Sequence, residues 1–150
     1  MAESSPVQQP KKTLEEANAL VPELARIVGG QMQRRGEIER KLSELAIEQG
    51  SPADDLSPKP EDSRGVRDRK VELEQLITEY QGKWTELEDI GGVLKDPRQG
   101  LVDFYGEVDG ELVWLCWKFG ERSIAHYHKL REGFSSRKPI DAGAKRKLLN

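Results

Sequence analysis

The residues that could perform chemistry lie in the C-terminal third of the chain. His126 and His128 are separated by one residue, and alternate residues of a β-strand point to the same face. Two imidazoles at this spacing are typical of metal sites, as are carboxylate and thiolate donors. Asp103, Cys116 and Glu121 supply such donors in the same part of the sequence. The pattern predicts a site for a divalent metal such as zinc, which accepts oxygen, nitrogen and sulfur ligands.

Two turns decide whether these residues meet. Asp109-Gly110 is a strong hairpin signal, and a two-residue turn there places Asp103 opposite Cys116. At the next turn, a three-residue loop would bring His126 opposite Cys116, with His128 on the same face. A two-residue loop fits the turn chemistry better and would send both histidines to the other face. The sequence leaves this choice open, and ordinary strand histidines beside a buried, unreactive cysteine are the favoured interpretation.

Three basic residues near the end of the sequence form a second candidate site. Arg122, Arg137 and Lys138 could bind an anionic ligand, or they could be solvated side chains. Residues 112–150 carry nine basic residues against three acidic ones, whereas residues 14–90 carry 18 acidic residues against 11 basic ones. This excess of basic residues at the C-terminal end is smaller than the basic surface expected of a dedicated DNA-binding domain. Nucleic-acid binding through the basic end is therefore not favoured and would be weak.

Two long helices are expected to precede the strands. A capping box over Thr13–Glu16 begins the first, and apolar residues then recur every three or four positions. Pro22 should end a short leading helix near Ala19 or kink a longer one. Residues 49–63, rich in proline, aspartate and serine, form a linker, and the second helix should run from about Arg64 to Ile90.

The fold class predicted from this pattern is α+β. A long, coiled-coil-like antiparallel helical hairpin over residues 13–90 is followed by a three-stranded antiparallel β-meander over residues 93–130, where the apolar period changes to two. Residues 13–140 should form a single domain. Residues 1–12 are predicted to be a disordered arm and residues 141–150 a flexible basic tail.

The apolar stripes of the two helices predict self-association. A three-stranded sheet is too small to cover both stripes, so a second copy should bury the remainder in a four-helix arrangement, as in many two-fold dimers. The leading interpretation is therefore a non-enzymatic, self-associating interaction module that forms a homodimer. A protein that binds a divalent metal or small ligand in the meander, with or without catalysis, is the alternative. The residues expected to carry the self-association are Leu24, Val28, Leu42, Leu73, Leu76, Tyr80 and Leu87.

Composition excludes several classes of protein. Cys116 is the only cysteine, so an intramolecular disulfide cannot form and a reducing compartment is expected. The sequence has no apolar signal region at its start and no apolar run long enough to span a membrane, which predicts a soluble, cytoplasmic protein. It also has no glycine-rich phosphate loop, nucleophile elbow or paired Cys-x-x-Cys motif. Catalytic residues therefore stay unassigned.

The order of several short motifs is similar to that of a known family. TLEEANALVPEL is followed by GLVDFY, LCWKFGE, IAHYH, GF and RKPI. This order resembles a bacterial family of uncharacterised conserved proteins, domain of unknown function 2203, over residues 13–140. The resemblance implies the order of helices and strands but no activity, because the family has none assigned. Tyr105 and Tyr127 stand where the family often has proline and tryptophan. The residues of the family pattern that stand here are Asp103, Cys116, Trp117, Glu121, His128, Gly133, Phe134, Arg137 and Pro139.

Overall fold

The computed structural model describes residues 10–140, in which four α-helices precede five β-strands. This confirms the α+β class with helices before an antiparallel sheet. The chain divides into two units, one made of the residues up to Gly29 and from Glu86 onward, the other of Gly30–Thr85. The elements in chain order are α1 (Leu14–Ala19), α2 (Val21–Gln49), α3 (Arg64–Lys83), α4 (Thr85–Asp89), β1 (Val93–Asp96), β2 (Leu101–Val108), β3 (Glu111–Lys118), β4 (His126–Lys129), a 3-10 turn (Phe134–Ser136) and β5 (Lys138–Pro139).

Local signals begin the first two helices as predicted. The Glu16 N–H donates to Thr13 Oγ1 at 3.0 Å and the Thr13 N–H donates to the Glu16 carboxylate at 2.8 Å, which completes the capping box. Helix α1 ends at Ala19 and α2 begins at Val21. Pro22 therefore lies in the first turn of a helix, where its missing N–H breaks no hydrogen bond. The predicted short leading helix is confirmed.

The second long helix is interrupted, so the prediction of one helix from Arg64 to Ile90 is wrong in this respect. Helix α3 ends at Lys83 and α4 begins at Thr85. The Thr85 hydroxyl donates to the Gly82 carbonyl at 2.9 Å. A side-chain donor thus binds a carbonyl at the end of α3, and such local bonds compete with the regular helical ladder.

The sheet has five strands in the order β1-β2-β3-β4-β5, so the prediction of three strands is wrong. All neighbouring strands are antiparallel, and the two additional strands flank the predicted meander. Both are short and lack an alternating apolar pattern. The turn after β1 is held by Asp96, whose Oδ1 accepts from the N–H of Arg98 at 2.8 Å. Beyond β5, the N–H of Ile140 donates to the carbonyl of Ala125 at 2.8 Å.

The first hairpin has the predicted turn and register. Asp109 and Gly110 have φ angles of 55° and 77°, as a type I′ turn requires. Asp103 lies opposite Cys116. One face of the sheet is mostly apolar, and its four central side chains are fully buried. They are Val102, Phe104, Leu115 and Trp117.

Helical residues pack closely around this apolar face. A Cβ added at Gly29 would lie 3.1 Å from the Phe119 ring, and one added at Gly92 would lie 2.6 Å from Leu87 and 3.2 Å from Val102. The glycines therefore permit close contact between backbone and side chains in this unit. The helical residues buried in the same unit are Leu14, Ala17, Val21, Leu24, Ile27, Val28 and Leu87.

Part of the predicted N-terminal arm lies along β2. The Lys12 N–H donates to the Tyr105 carbonyl at 2.8 Å, and the Lys11 ammonium lies 3.2 Å from the Glu107 carboxylate. Residues 1–9 of the arm and the predicted tail, residues 141–150, lie outside the described residues.

The unit Gly30–Thr85 has its own apolar cluster. Contacts between α2 and α3 run in reverse order along the two helices: Gln31 Nε2 donates to the Tyr80 carbonyl at 2.8 Å, and Lys41 lies 3.4 Å from Glu72. The core of the cluster consists of Ile38, Leu45, Val66 and Leu73. Across residues 10–140, the helices are all too short or too polar to cross a membrane.

Candidate metal centre

The register of β3 and β4 places both histidines on the face that carries Asp103. His126 lies opposite Cys116, and His128 lies opposite Trp114. Since Asp103 lies opposite Cys116 on the other side, three neighbouring strands form the row Asp103–Cys116–His126. The alternative that turn chemistry favoured, with both histidines on the apolar face, is wrong.

Both local and long-range hydrogen bonds hold the connection between β3 and β4. The Glu121 carboxylate accepts from the N–H of Lys118 at 2.9 Å, and the Glu121 carbonyl accepts from Trp117 Nε1 at 2.9 Å. The N–H of Ile124 donates to Asn18 Oδ1 in α1 at 2.7 Å. The chain from Phe119 to Ala125 is therefore held by neighbouring residues and also by one distant side chain, that of Asn18.

Asp103, Cys116 and His128 form a buried cluster of three possible metal ligands. One donor atom from each, an oxygen, a sulfur and a nitrogen, lies within 4.8 Å of the other two. All three residues are at most 3% exposed. Asp103 Oδ2 and His128 Nε2 are 2.9 Å apart. Ligand atoms this close are within reach of a single cation.

Both ring nitrogens of His128 have partners that accept protons. Nδ1 lies 2.9 Å from the Lys129 carbonyl, which can only accept, so Nδ1 carries a proton. Nε2 faces the Asp103 carboxylate. Burial opposes the charged imidazole, but the hydrogen bonds to Asp103 and to the Lys129 carbonyl outweigh it and raise the pKa of His128. Without a metal, these partners favour the protonated form of the His128 imidazole.

Cys116 is a protonated thiol in this environment. Burial, together with the charge of Asp103, raises its pKa to about 12, although Arg137 Nη1 lies 3.8 Å from the sulfur and opposes the shift. Because the thiolate is the reactive form, this sulfur is not an activated nucleophile. His128 cannot serve as its base, since both imidazole nitrogens are occupied. The cluster therefore lacks the cysteine–histidine pairing of a hydrolase.

Three buried polar atoms on this face have no hydrogen-bond partner among the described residues. They are Asp103 Oδ1, Tyr105 Oη and His126 Nδ1. Buried polar groups are almost always paired, and each exception calls for a ligand or another explanation. An ordered water, an ion or a ligand could each supply the missing partners of these three atoms.

Tyr105 and Lys95 belong to this face but were not predicted as site residues. The Tyr105 ring packs against Trp114 with centroids 4.1 Å apart, and burial raises the pKa of its hydroxyl. Lys95 Nζ lies 3.8 Å from the centre of the Trp114 ring. The available signal for Tyr105 was its position two residues after Asp103, which places it on the same face. No comparable signal marks Lys95, because β1 was not predicted as a strand.

Glu121 lies outside the ligand cluster and pairs with Arg137. The two side chains form a bidentate ion pair with distances of 2.7 and 3.2 Å, and the Arg137 guanidinium lies 4.2 Å from the centre of the Phe134 ring. Burial raises the pKa of Glu121, but the hydrogen bonds from Arg137 and from the Lys118 N–H outweigh it and lower the pKa. Arg122 and Lys138 are exposed. The anion site predicted from the three basic residues stays a prediction. The Arg137 guanidinium is already paired with the Glu121 carboxylate.

The residues predicted to mediate self-association lie mostly in the chain's own core. Leu24 and Val28 are 0% exposed, and Leu73 and Leu87 are 1% exposed. Leu42, Leu76 and Tyr80 are partly buried against the cluster of the Gly30–Thr85 unit. Self-association stays a prediction, and of the predicted residues only Leu42, Leu76 and Tyr80 keep part of their surface exposed.

Comparison with known proteins finds a family but no activity. The model of a family described as uncharacterized conserved protein, domain of unknown function 2203, matches residues 12–140. No curated protein and no solved structure matches the chain. The comparisons therefore support the resemblance seen in the short motifs.

Proposed function

The chain belongs to the family of uncharacterized conserved proteins designated domain of unknown function 2203, and we propose that it is a metal-binding protein. In this proposal Asp103, Cys116 and His128 hold one divalent cation, and Zn²⁺ fits best. Zinc accepts carboxylate, thiolate and imidazole ligands together, whereas harder cations prefer oxygen alone.

The observation that carries this proposal is the burial of three different metal-binding groups at one point. A carboxylate, a thiol and an imidazole lie with donor atoms within 4.8 Å, and the second carboxylate oxygen of Asp103 lacks a partner among residues 10–140. Apolar side chains at these positions would join the three strands without burying any polar group. A cation would compensate the cost of removing these polar groups from water.

The hydrogen bond at the far nitrogen of His128 also supports the proposal. Imidazoles that bind a metal through one nitrogen usually donate the other N–H to a carbonyl or carboxylate, which orients the ring. The Lys129 carbonyl accepts such a bond from Nδ1 at 2.9 Å. Nε2, the nitrogen that faces Asp103 and Cys116, would be the ligand.

The burial of the cluster favours a structural role for the metal. Catalytic zinc sites keep a coordination position open to water or substrate, whereas structural sites are closed. Each ligand here comes from a different strand, β2, β3 or β4, and none is more than 3% exposed. The cation would therefore link three strands, and its binding energy would add to the stability of the fold.

The test is zinc binding by the full chain and by a Cys116→Ala variant. Protein purified without a nickel column and treated with a chelator should take up one Zn²⁺ per chain, measured by elemental analysis. Zinc at about 100 times its dissociation constant should raise the melting temperature by roughly 8 °C. The variant should fold without metal, because Cys116 also packs as a small apolar residue, but zinc should leave its melting temperature unchanged.

A chain that stays metal-free and shows no thermal shift would contradict the proposal. Zinc binding by Cys116→Ala that is as tight as in the original chain would also contradict the proposal. In either case Asp103 and His128 would form a buried ion pair whose role is structural without any cation.

Self-association through the helices is a second proposal. We infer that α2 and α3 form an antiparallel hairpin in the Gly30–Thr85 unit, because their contacts occur in reverse order. Ile47 on α2 is 82% exposed and Val71 on α3 is 47% exposed. Burial of these two side chains against a second copy would stabilise a dimer.

Sedimentation velocity over a concentration series would test this second proposal. The chain should change from monomer to dimer as its concentration rises, and an Ile47→Lys/Val71→Lys variant should shift the change to higher concentration. Gln75→Lys, an exposed position of α3, is a control that adds charge without removing apolar surface. A chain that is monomeric at all concentrations would contradict self-association.

A further inference from the structure

His126 shares the sheet face of the three proposed ligands, but it is not in the group whose donor atoms lie within 4.8 Å of one another, so its ring would have to turn toward them to bind the same cation. It is directly opposite Cys116 on β4, and Cys116 is directly opposite Asp103. Side chains opposite each other on neighbouring antiparallel strands have Cβ atoms about 4.5–5.5 Å apart. The side chain of His126 therefore lies on the same face of the sheet as Asp103 and Cys116, in the row that these two ligands form.

The buried nitrogen of His126 needs a partner that its protein surroundings do not supply. Within the described part of the chain, Nδ1 is buried and makes no hydrogen bond. On the other side of β4, the residue opposite His126 is Pro139, which has no N–H to donate. The Glu121 carboxylate is already engaged by Arg137 and by the Lys118 N–H.

We propose that His126 is the fourth ligand of the metal centre and binds the cation through Nδ1. This inference rests on the metal site proposed above. The centre would then have one oxygen, one sulfur and two nitrogen ligands, which is a complete set for tetrahedral zinc. Two ligands would come from β4, so the cation would attach this strand, and through its pairing β5, to the middle of the sheet.

A fourth protein ligand has a chemical consequence. A site with three protein ligands keeps a position for water, whose activation is the basis of zinc hydrolases. With His126 bound, no such position remains, and an external anion could not reach the metal. The centre would hold the fold together and would not perform hydrolysis.

Cobalt is a suitable probe, because Co²⁺ occupies zinc sites and its visible absorption reports the number of ligands. The full chain loaded with Co²⁺ should show the intense bands of a four-coordinate site with one thiolate, and azide should leave the spectrum unchanged. His126→Ala should bind Co²⁺ at least about tenfold more weakly. Its spectrum should change when azide is added, because azide enters the vacated position.

Two further variants separate a lost ligand from a damaged fold. His126→Cys supplies another ligand and should restore a four-coordinate spectrum with a second thiolate band. Tyr127→Phe changes the neighbouring residue on the opposite face and should behave like the original chain. If His126→Ala matched the original chain in affinity and spectrum, or if azide altered the spectrum of the original chain, His126 would not be a ligand. If the original chain failed to bind Co²⁺ or Zn²⁺, the metal site itself would be wrong.

Discussion

Replacing His128 by leucine in the metal-free chain is expected to lower the free energy of unfolding by about 3–5 kcal/mol. The substitution leaves the Asp103 carboxylate buried at 1% exposure, without the imidazole that now lies 2.9 Å from it and whose charged form this contact favours. The other oxygen of this carboxylate already lacks a hydrogen-bond partner among residues 10–140, so the substitution removes a hydrogen-bonding partner from the carboxylate and supplies no new one. Chemical denaturation of the metal-free protein would measure the loss.

The double variant Asp103→Leu/His128→Leu is the control for this prediction. Removing both partners eliminates the buried charge, so the double variant should be more stable than His128→Leu alone. The two substitutions should therefore be strongly non-additive, as expected for groups in direct contact. Additive losses would mean that the two side chains act independently, which the hydrogen bond between them contradicts.

A second buried ion pair should have a large effect in the Gly30–Thr85 unit. Lys70 is 2% exposed and its ammonium donates to Asp62 at 2.8 Å and to the Ser57 carbonyl at 3.3 Å. Asp62→Ala would leave this ammonium buried without a counter-charge, and the melting temperature should fall by roughly 10 °C. Lys70→Met/Asp62→Ala should recover most of the loss, because methionine fills the space without a charge. A melting temperature that is unchanged in Asp62→Ala would contradict this role.

The same pair also has a defined dependence on pH. The hydrogen bond from Lys70, with one from the Lys59 N–H, lowers the pKa of Asp62 below its ordinary value of 3.8. A carboxyl group whose pKa is lowered by folding stabilises the fold above its ordinary pKa, and the contribution is lost as pH falls through the folded value. The free energy of unfolding of the original chain should therefore fall relative to that of Lys70→Met/Asp62→Ala only below about pH 4.

Short-range chemistry explains the parts of the fold that could be predicted. Thr13 and Glu16 are three residues apart, and their reciprocal bonds begin α1 as expected. Asp109-Gly110 adopts the positive φ angles that its residue types favour, and this turn alone determines that Asp103 lies opposite Cys116. The order of the short motifs was sufficient to identify the family, because a pattern that is spread over the chain does not depend on any single contact.

The edge strands were missed for a physical reason. β5 has only two residues, and β1 has four with no apolar alternation, so neither has a periodic signal of its own. Each is a strand because it pairs with a neighbour already in place. Such pairing depends on tertiary position and leaves little trace in local sequence.

The sequence by itself determined the residue types of the candidate centre, the first hairpin and the position of Asp103 opposite Cys116. Only the tertiary structure decided that His128 joins them, because the connection before β4 is held in part by a distant residue. This residue is Asn18, which lies 106 residues from the Ile124 N–H that it binds. Turn preferences act over a few residues, whereas the bond to Asn18 joins the connection to the first helix. A one-residue change in the register of β4 would have moved both histidines to the apolar face.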